Sequence, residues 1–140
     1  MTSQGKPSRW IVRSIVAFLA SLLTVVVLSV GTDALMHALG VFPALNKPPN
    51  DSRLLALALG YRVVYGVLGG YVIARLAPFA PMGHALASGA VGLVVGAIGA
   101  IAMWGYGPNW YPLALAATAI PCAWLGGLLE RRTHRGNDER

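Results

Sequence analysis

Four long apolar runs, separated by short polar or proline-containing connectors, organise this chain: residues 11–30, 54–76, 85–104 and 110–129. A hydrocarbon core of about 30 Å is crossed by ~20 helical residues rising ~1.5 Å each, and every run reaches that length. The third and fourth runs hold no charged residue. The pattern predicts an all-α, four-helix transmembrane bundle, up-down-up-down, with helices over residues 10–39, 52–76, 82–104 and 110–129 and short mobile termini, in a single domain over 1–140.

Local signals set the predicted ends. The first helix runs past residue 30, because nothing in 31–39 breaks it before Gly40 and Pro43. The connector 41–50 carries Pro43, Pro48 and Pro49 and reads as a tight, rigid loop; Asp51 or Ser52 suits the N-cap of the second helix. Pro78 and Pro81 punctuate the next turn, with Pro81 fitted to a first helical position, where its missing N–H costs nothing. Trp10 at one end and Trp104, Trp110 and Tyr111 at the other are placed as interfacial aromatics. Pro121 falls inside the fourth span and predicts a kink there.

Composition agrees with this pattern. Hydrophobic residues make up 56% of the chain and charged residues 11%, whereas a soluble domain carries roughly 25% charge. The net charge of +6 does not read as a nucleic-acid footprint, because the charges cluster by side. Lys6, Arg9, Arg13, Arg75, Arg131, Arg132, Arg135 and Arg140 fall on one predicted side, against Lys47 and Arg53 on the other. That asymmetry is the positive-inside pattern and predicts both termini in the cytoplasm. The short loops suit a multi-pass protein of the inner (plasma) membrane. The first run exceeds the ~7–15 apolar residues of a signal peptide, so it is expected to stay as an anchor. Cys122 stands alone, which leaves no disulfide framework and no cysteine-based metal site.

Arg62 carries the sharpest chemical signal. An arginine deep in a span costs about 2.5–3.5 kcal/mol even on the milder insertion scales, so a partner must satisfy it. Arg62 shares a helical face with Gly66, Gly69 and Ile73, beside a ridge of Gly66, Gly70 and Ala74. Asp33 is the acidic residue at the same end of a neighbouring span, which predicts an Asp33–Arg62 ion pair, with His37 one turn beyond and Tyr61 or Tyr65 within hydrogen-bonding reach. The plainer alternative is an Arg62 that snorkels to the interface and pins its helix. The i, i+4 spacing of Asp33 and His37 fits a proton-responsive dyad or half a metal site, against the plainer and preferred reading of Asp33 as a helix-end interface residue; His84 and His134 lie at the opposite end, so no metal and no cofactor is expected.

Glycines mark close helix contacts. Gly66, Gly69 and Gly70 in the second span face Gly89, Gly92, Gly96 and Gly99 in the third, and these two faces are expected to pack on each other or to offer a surface to another subunit. No His-Glu-x-x-His, Gly-x-Ser-x-Gly or Gly-x4-Gly-Lys motif occurs. The expected function is therefore a non-enzymatic structural or accessory role in the bilayer, with itself or a larger membrane complex as partner and no nucleic acid. The alternative is a minimal homo-oligomeric transporter or channel using Arg62 with Asp33 and His37.

Overall fold

A computed structural model describes residues 7–44, 46–47 and 50–138. The expectations resting on Lys6, Pro48, Pro49 and Arg140 lie outside these. The described residues form α1 (Pro7–Ala38), α2 (Ser52–Leu76), α3 (Pro81–Ala102) and α4 (Trp110–Asp138). All four are long and apolar enough to cross a membrane.

Three of the helix ends follow their local chemistry. At the end of α1, Gly40 takes φ 71° while its N–H bonds His37 O and the Val41 N–H bonds Met36 O. This pair of bonds is the Schellman arrangement, in which a left-handed glycine satisfies the last carbonyls of the helix. Asp51 caps α2 by accepting from the Arg53 N–H at 2.9 Å. Pro81 opens α3, preceded by Ala80 at φ 41°, a left-handed conformation that costs an L-residue roughly 1–2 kcal/mol.

Two boundaries differ from the sequence expectation. α1 begins at Pro7, inside the segment expected to be a mobile arm, and α4, with Pro121 inside it as expected, continues past residue 129 to Asp138. The extension Glu130-Arg131-Arg132-Thr133-His134-Arg135 contains no breaker, so the helix outlasts its apolar stretch. The expected C-terminal tail is helical as far as the described residues reach.

The interior is built from small side chains. Ala17, Ala58, Ala74, Ala85, Ala100, Ala116 and Ala123 are buried, and Ile73 is the largest fully buried side chain. Leu, Val, Ile and Trp side chains instead cover the outer surface. In lipid no hydrophobic force pulls helices together, so small residues that let backbones approach are favoured at the contacts.

The glycine faces of α2 and α3 meet α4 more than they meet each other, which corrects the sequence expectation. Gly66 lies against Cys122, Gly70 against the Ala123 backbone, Gly89 against Ala119, Ile120 and Ala123, Gly92 against Ala119, and Gly96 against Ala116. A Cβ at Gly70 would stand 2.7 Å from Ala123 O, and one at Gly96 would stand 3.0 Å from Ala116 Cα. The tightest approach belongs to Gly126 of α4, where a Cβ would collide with the Val67 carbonyl and the Tyr71 amide of α2. Gly69 turns the other way, toward Ser21 and Val25 of α1. Gly99 has open space where a side chain would begin, so it packs no helix within the chain.

α1 leans on α2 and touches α3 near one end, where Ser14 Oγ and His84 Nε2 lie 2.9 Å apart. Along α1 and α2 the contacts run in opposite order, Asp33 against Arg62 and Ser21 against Gly69.

Candidate functional site

The main polar cluster lies where α1, α2 and α4 converge. Asp33 sits in the last two turns of α1, Tyr61 and Arg62 follow the first nine residues of α2, and Tyr111 is the second residue of α4. Arg62 Nη2 donates to Asp33 Oδ2, the Tyr61 hydroxyl donates to Asp33 Oδ1, and Arg62 Nη1 donates to the Tyr111 hydroxyl. Both carboxylate oxygens of Asp33 therefore hold a partner, one neutral and one charged. The guanidinium carbon also lies 5.8 Å from the ring centroids of both Tyr61 and Tyr111, within cation–π range.

Arg62 is brought onto Asp33 in the structure, as the ion-pair expectation had it. Its Cα lies about 15 Å along α2 from Ser52, at ~1.5 Å per residue. Its guanidinium bonds the hydroxyl of Tyr111, the second residue of α4. The Arg62 and Asp33 side chains are each 28% exposed, so the pair is neither sealed in the bundle nor free at its surface.

The other predicted members are placed differently. His37 does not reach the Asp33 carboxylate; its Nδ1 lies 2.7 Å from the Asp33 backbone carbonyl and its ring packs edge-on against Phe42. Tyr65 pairs with Thr32 of α1, hydroxyl to hydroxyl at 2.8 Å. Sequence reasoning missed Thr32 and classed Tyr111 as an interfacial aromatic. The available signal was a phenol at the same end of the bundle as Arg62. Among the described residues, no three His, Cys, Asp or Glu side chains gather into a group able to hold a metal.

A second cluster, unread in the sequence, closes the opposite end. Glu130 of α4 is 3% exposed. One turn on, His134 Nε2 lies 2.8 Å from Glu130 Oε1, while Arg75 of α2 stands 3.9 Å from that oxygen and 2.7 Å from the same imidazole nitrogen. A carboxylate this deep requires such partners, because an unpaired charge there would be expensive.

Between the clusters, a groove of about 290 Å³ opens where α1 and α3 diverge. Its walls include Ser21 and Ser29 of α1 and Ser88 and Gly92 of α3, and Arg62 and Gly66 line it from α2. No protein-family model matches the chain, and neither does any curated protein or solved structure.

Proposed function

We propose that this chain is a non-enzymatic, multi-pass protein of the inner (plasma) membrane with a structural or accessory role. It threads up-down-up-down, with both termini cytoplasmic. The alternating order of helix contacts fits that threading: α3 and α4 pair in opposite order, Gly96 with Ala116 and Gly89 with Ala123. α2 and α4 pair in the same order, Gly66 with Cys122 and Gly70 with Ala123. The excess of arginine at the Arg75 and Arg131–Arg135 end supports a cytoplasmic location for it.

The observation that carries the structural role is the use of the polar side chains. Arg62, Asp33, Tyr61 and Tyr111 join three helices to one another, and Glu130, Arg75 and His134 join two. Among the described residues, no buried side-chain nitrogen or oxygen lacks a hydrogen-bond partner. Groups spent on each other hold a bundle together. Most of the ridge glycines, though not Gly99, are occupied within the chain, and the exposed apolar side chains of all four helices are left for lipid or a partner.

The test is the mass of the intact particle by native mass spectrometry after mild detergent extraction. Co-purification with a larger foreign subunit supports the accessory role. The second reading, a homo-oligomeric transporter or channel, rests on the groove that Arg62 lines. A defined homo-oligomer, with liposome flux that Arg62→Lys retains and Arg62→Ala abolishes, would favour it. Lys keeps the charge but cannot reproduce the fork that spans Asp33 and Tyr111.

A further inference from the structure

We infer that the cavity at the charged end of α4 binds the phosphate of an anionic membrane lipid, with an acyl chain laid along α4 above it. This rests on the membrane-spanning reading, though not on which leaflet the end occupies. The cavity measures about 570 Å³ and is lined by Arg131, Arg132 and Arg135, by the ion-paired Glu130 and His134, and by Leu128 and Pro81. Its size is within the ~300–1,000 Å³ of small-ligand clefts.

Two features make the cavity specific. The first is the division of labour among its charges. Glu130 is buried and engaged with His134 and Arg75, whereas Arg131, Arg132 and Arg135 form no salt bridge among the described residues. The carboxylate neutralises the charges beside α2 and leaves the three guanidiniums to act together on an anion. Arginine suits this task, because its planar fork grips two phosphate oxygens at once.

The second feature is the continuity between charge and apolar surface. At about 100° per residue, Leu125, Leu128, Arg132 and Arg135 lie within one narrow face of α4. Leu125 is 44% exposed and Leu128 partly so, with Arg132 and Arg135 exposed one and two turns beyond Leu128. Trp10 and Phe79, with ring centroids 6.1 Å apart, place interfacial aromatics at the same end of the bundle. A phosphate bound here has hydrocarbon surface directly above it. That arrangement matches a phospholipid, in which headgroup and tail are joined, and gives a free phosphate no reason to prefer the site.

The experiment uses the full chain in a neutral detergent, with bound lipid counted by native mass spectrometry. Phosphatidylglycerol, phosphatidylcholine and inorganic phosphate are the probes. Wild-type protein is expected to retain phosphatidylglycerol well above phosphatidylcholine, with retention falling as salt rises and unaffected by millimolar inorganic phosphate. The triple variant Arg131→Gln, Arg132→Gln, Arg135→Gln should lose on the order of a hundredfold in affinity, at about fivefold per cation. Lys47→Gln with Arg53→Gln, which removes charge from the other end, should change nothing. If the triple variant does not fold, the lipid preference, salt response and phosphate competition of the wild type still decide. Equal retention of both lipids, or full retention by a folded triple variant, overturns the assignment. Displacement by inorganic phosphate assigns the site to free phosphate and overturns the lipid. Failure of the membrane reading is separate: the protein would then leave the membrane fraction at alkaline carbonate, before any lipid is added.

Discussion

α4 and α1 are both long apolar helices, yet they are held to the bundle by different means. α4 lies against α2 and α3 along its length through Ala116, Ala119, Ala123 and Gly126, with backbones so close that a single methyl group would collide. α1 presents Ile15, Leu19, Leu22, Leu23, Val26 and Val30 to its surroundings and buries little beyond Ala17 and Ser21. Beside the packing of Ala17 on the core and of Val25 against Gly69, its attachments are polar: Ser21 Oγ to Gly69 O at 2.8 Å, Thr32 to Tyr65, Asp33 to Tyr61 and Arg62, and Ser14 to His84. Packing at small residues and hydrogen bonding between helices are the two forces available where lipid removes the hydrophobic one. α4 relies mainly on the first, with Tyr111 and Glu130 adding polar ties, whereas α1 adds a larger share of the second.

The comparison is broken most severely at the α2–α4 crossing. Gly126→Leu should destabilise the bundle by about 3 kcal/mol, since the new side chain meets α2 backbone that has no room to move. The unfolding midpoint in detergent measures it; a loss below about 1 kcal/mol would show that α4 is not clamped by close approach. Arg62→Ala should cost about 2 kcal/mol, less than a fully buried pair because both side chains retain some exposure. Its signature is selective: proteolysis should cut α1 free of the bundle while α2–α4 remain protected.

Smaller effects sharpen the contrast. Ala80→Gly should stabilise by about 1 kcal/mol, because glycine adopts the left-handed turn before α3 without strain. Ser21→Ala removes one interhelical hydrogen bond and should cost about 0.6 kcal/mol, the usual worth of such bonds in a bundle. Gly99→Ala should stay within about 0.5 kcal/mol of wild type, since no neighbour stands within 4 Å of the new methyl. A large loss at Gly99 within the isolated chain would mean that glycine there serves some contact other than helix packing.

The spans were legible because a bilayer demands length and apolarity, and both are written directly in residue order. Arg62 and Asp33 stood out for the same reason, as charges that an apolar run must account for. The glycines announced close approach without naming the approaching helix. Gly66 and Gly89 could have faced each other, and only the assembled bundle sets both against α4, Gly66 on Cys122 and Gly89 on Ala119, Ile120 and Ala123. Glu130 escaped notice because it follows the last apolar residue, where hydropathy marks the end of a span although the helix continues. Tyr111 was hidden by ambiguity: a tyrosine at a span end serves as interfacial anchor and hydrogen-bond partner with the same side chain.

The central claim is that Asp33 and Arg62 act as one unit tying α1 to α2. A double-mutant cycle with Asp33→Asn and Arg62→Gln, read as unfolding free energy in detergent, tests it directly. The account predicts that the double variant loses less than the sum of the single losses, with a coupling of about 1–2 kcal/mol. Additive losses would contradict it, leaving Arg62 a snorkelling anchor and Asp33 a helix-end residue with no energetic tie between them.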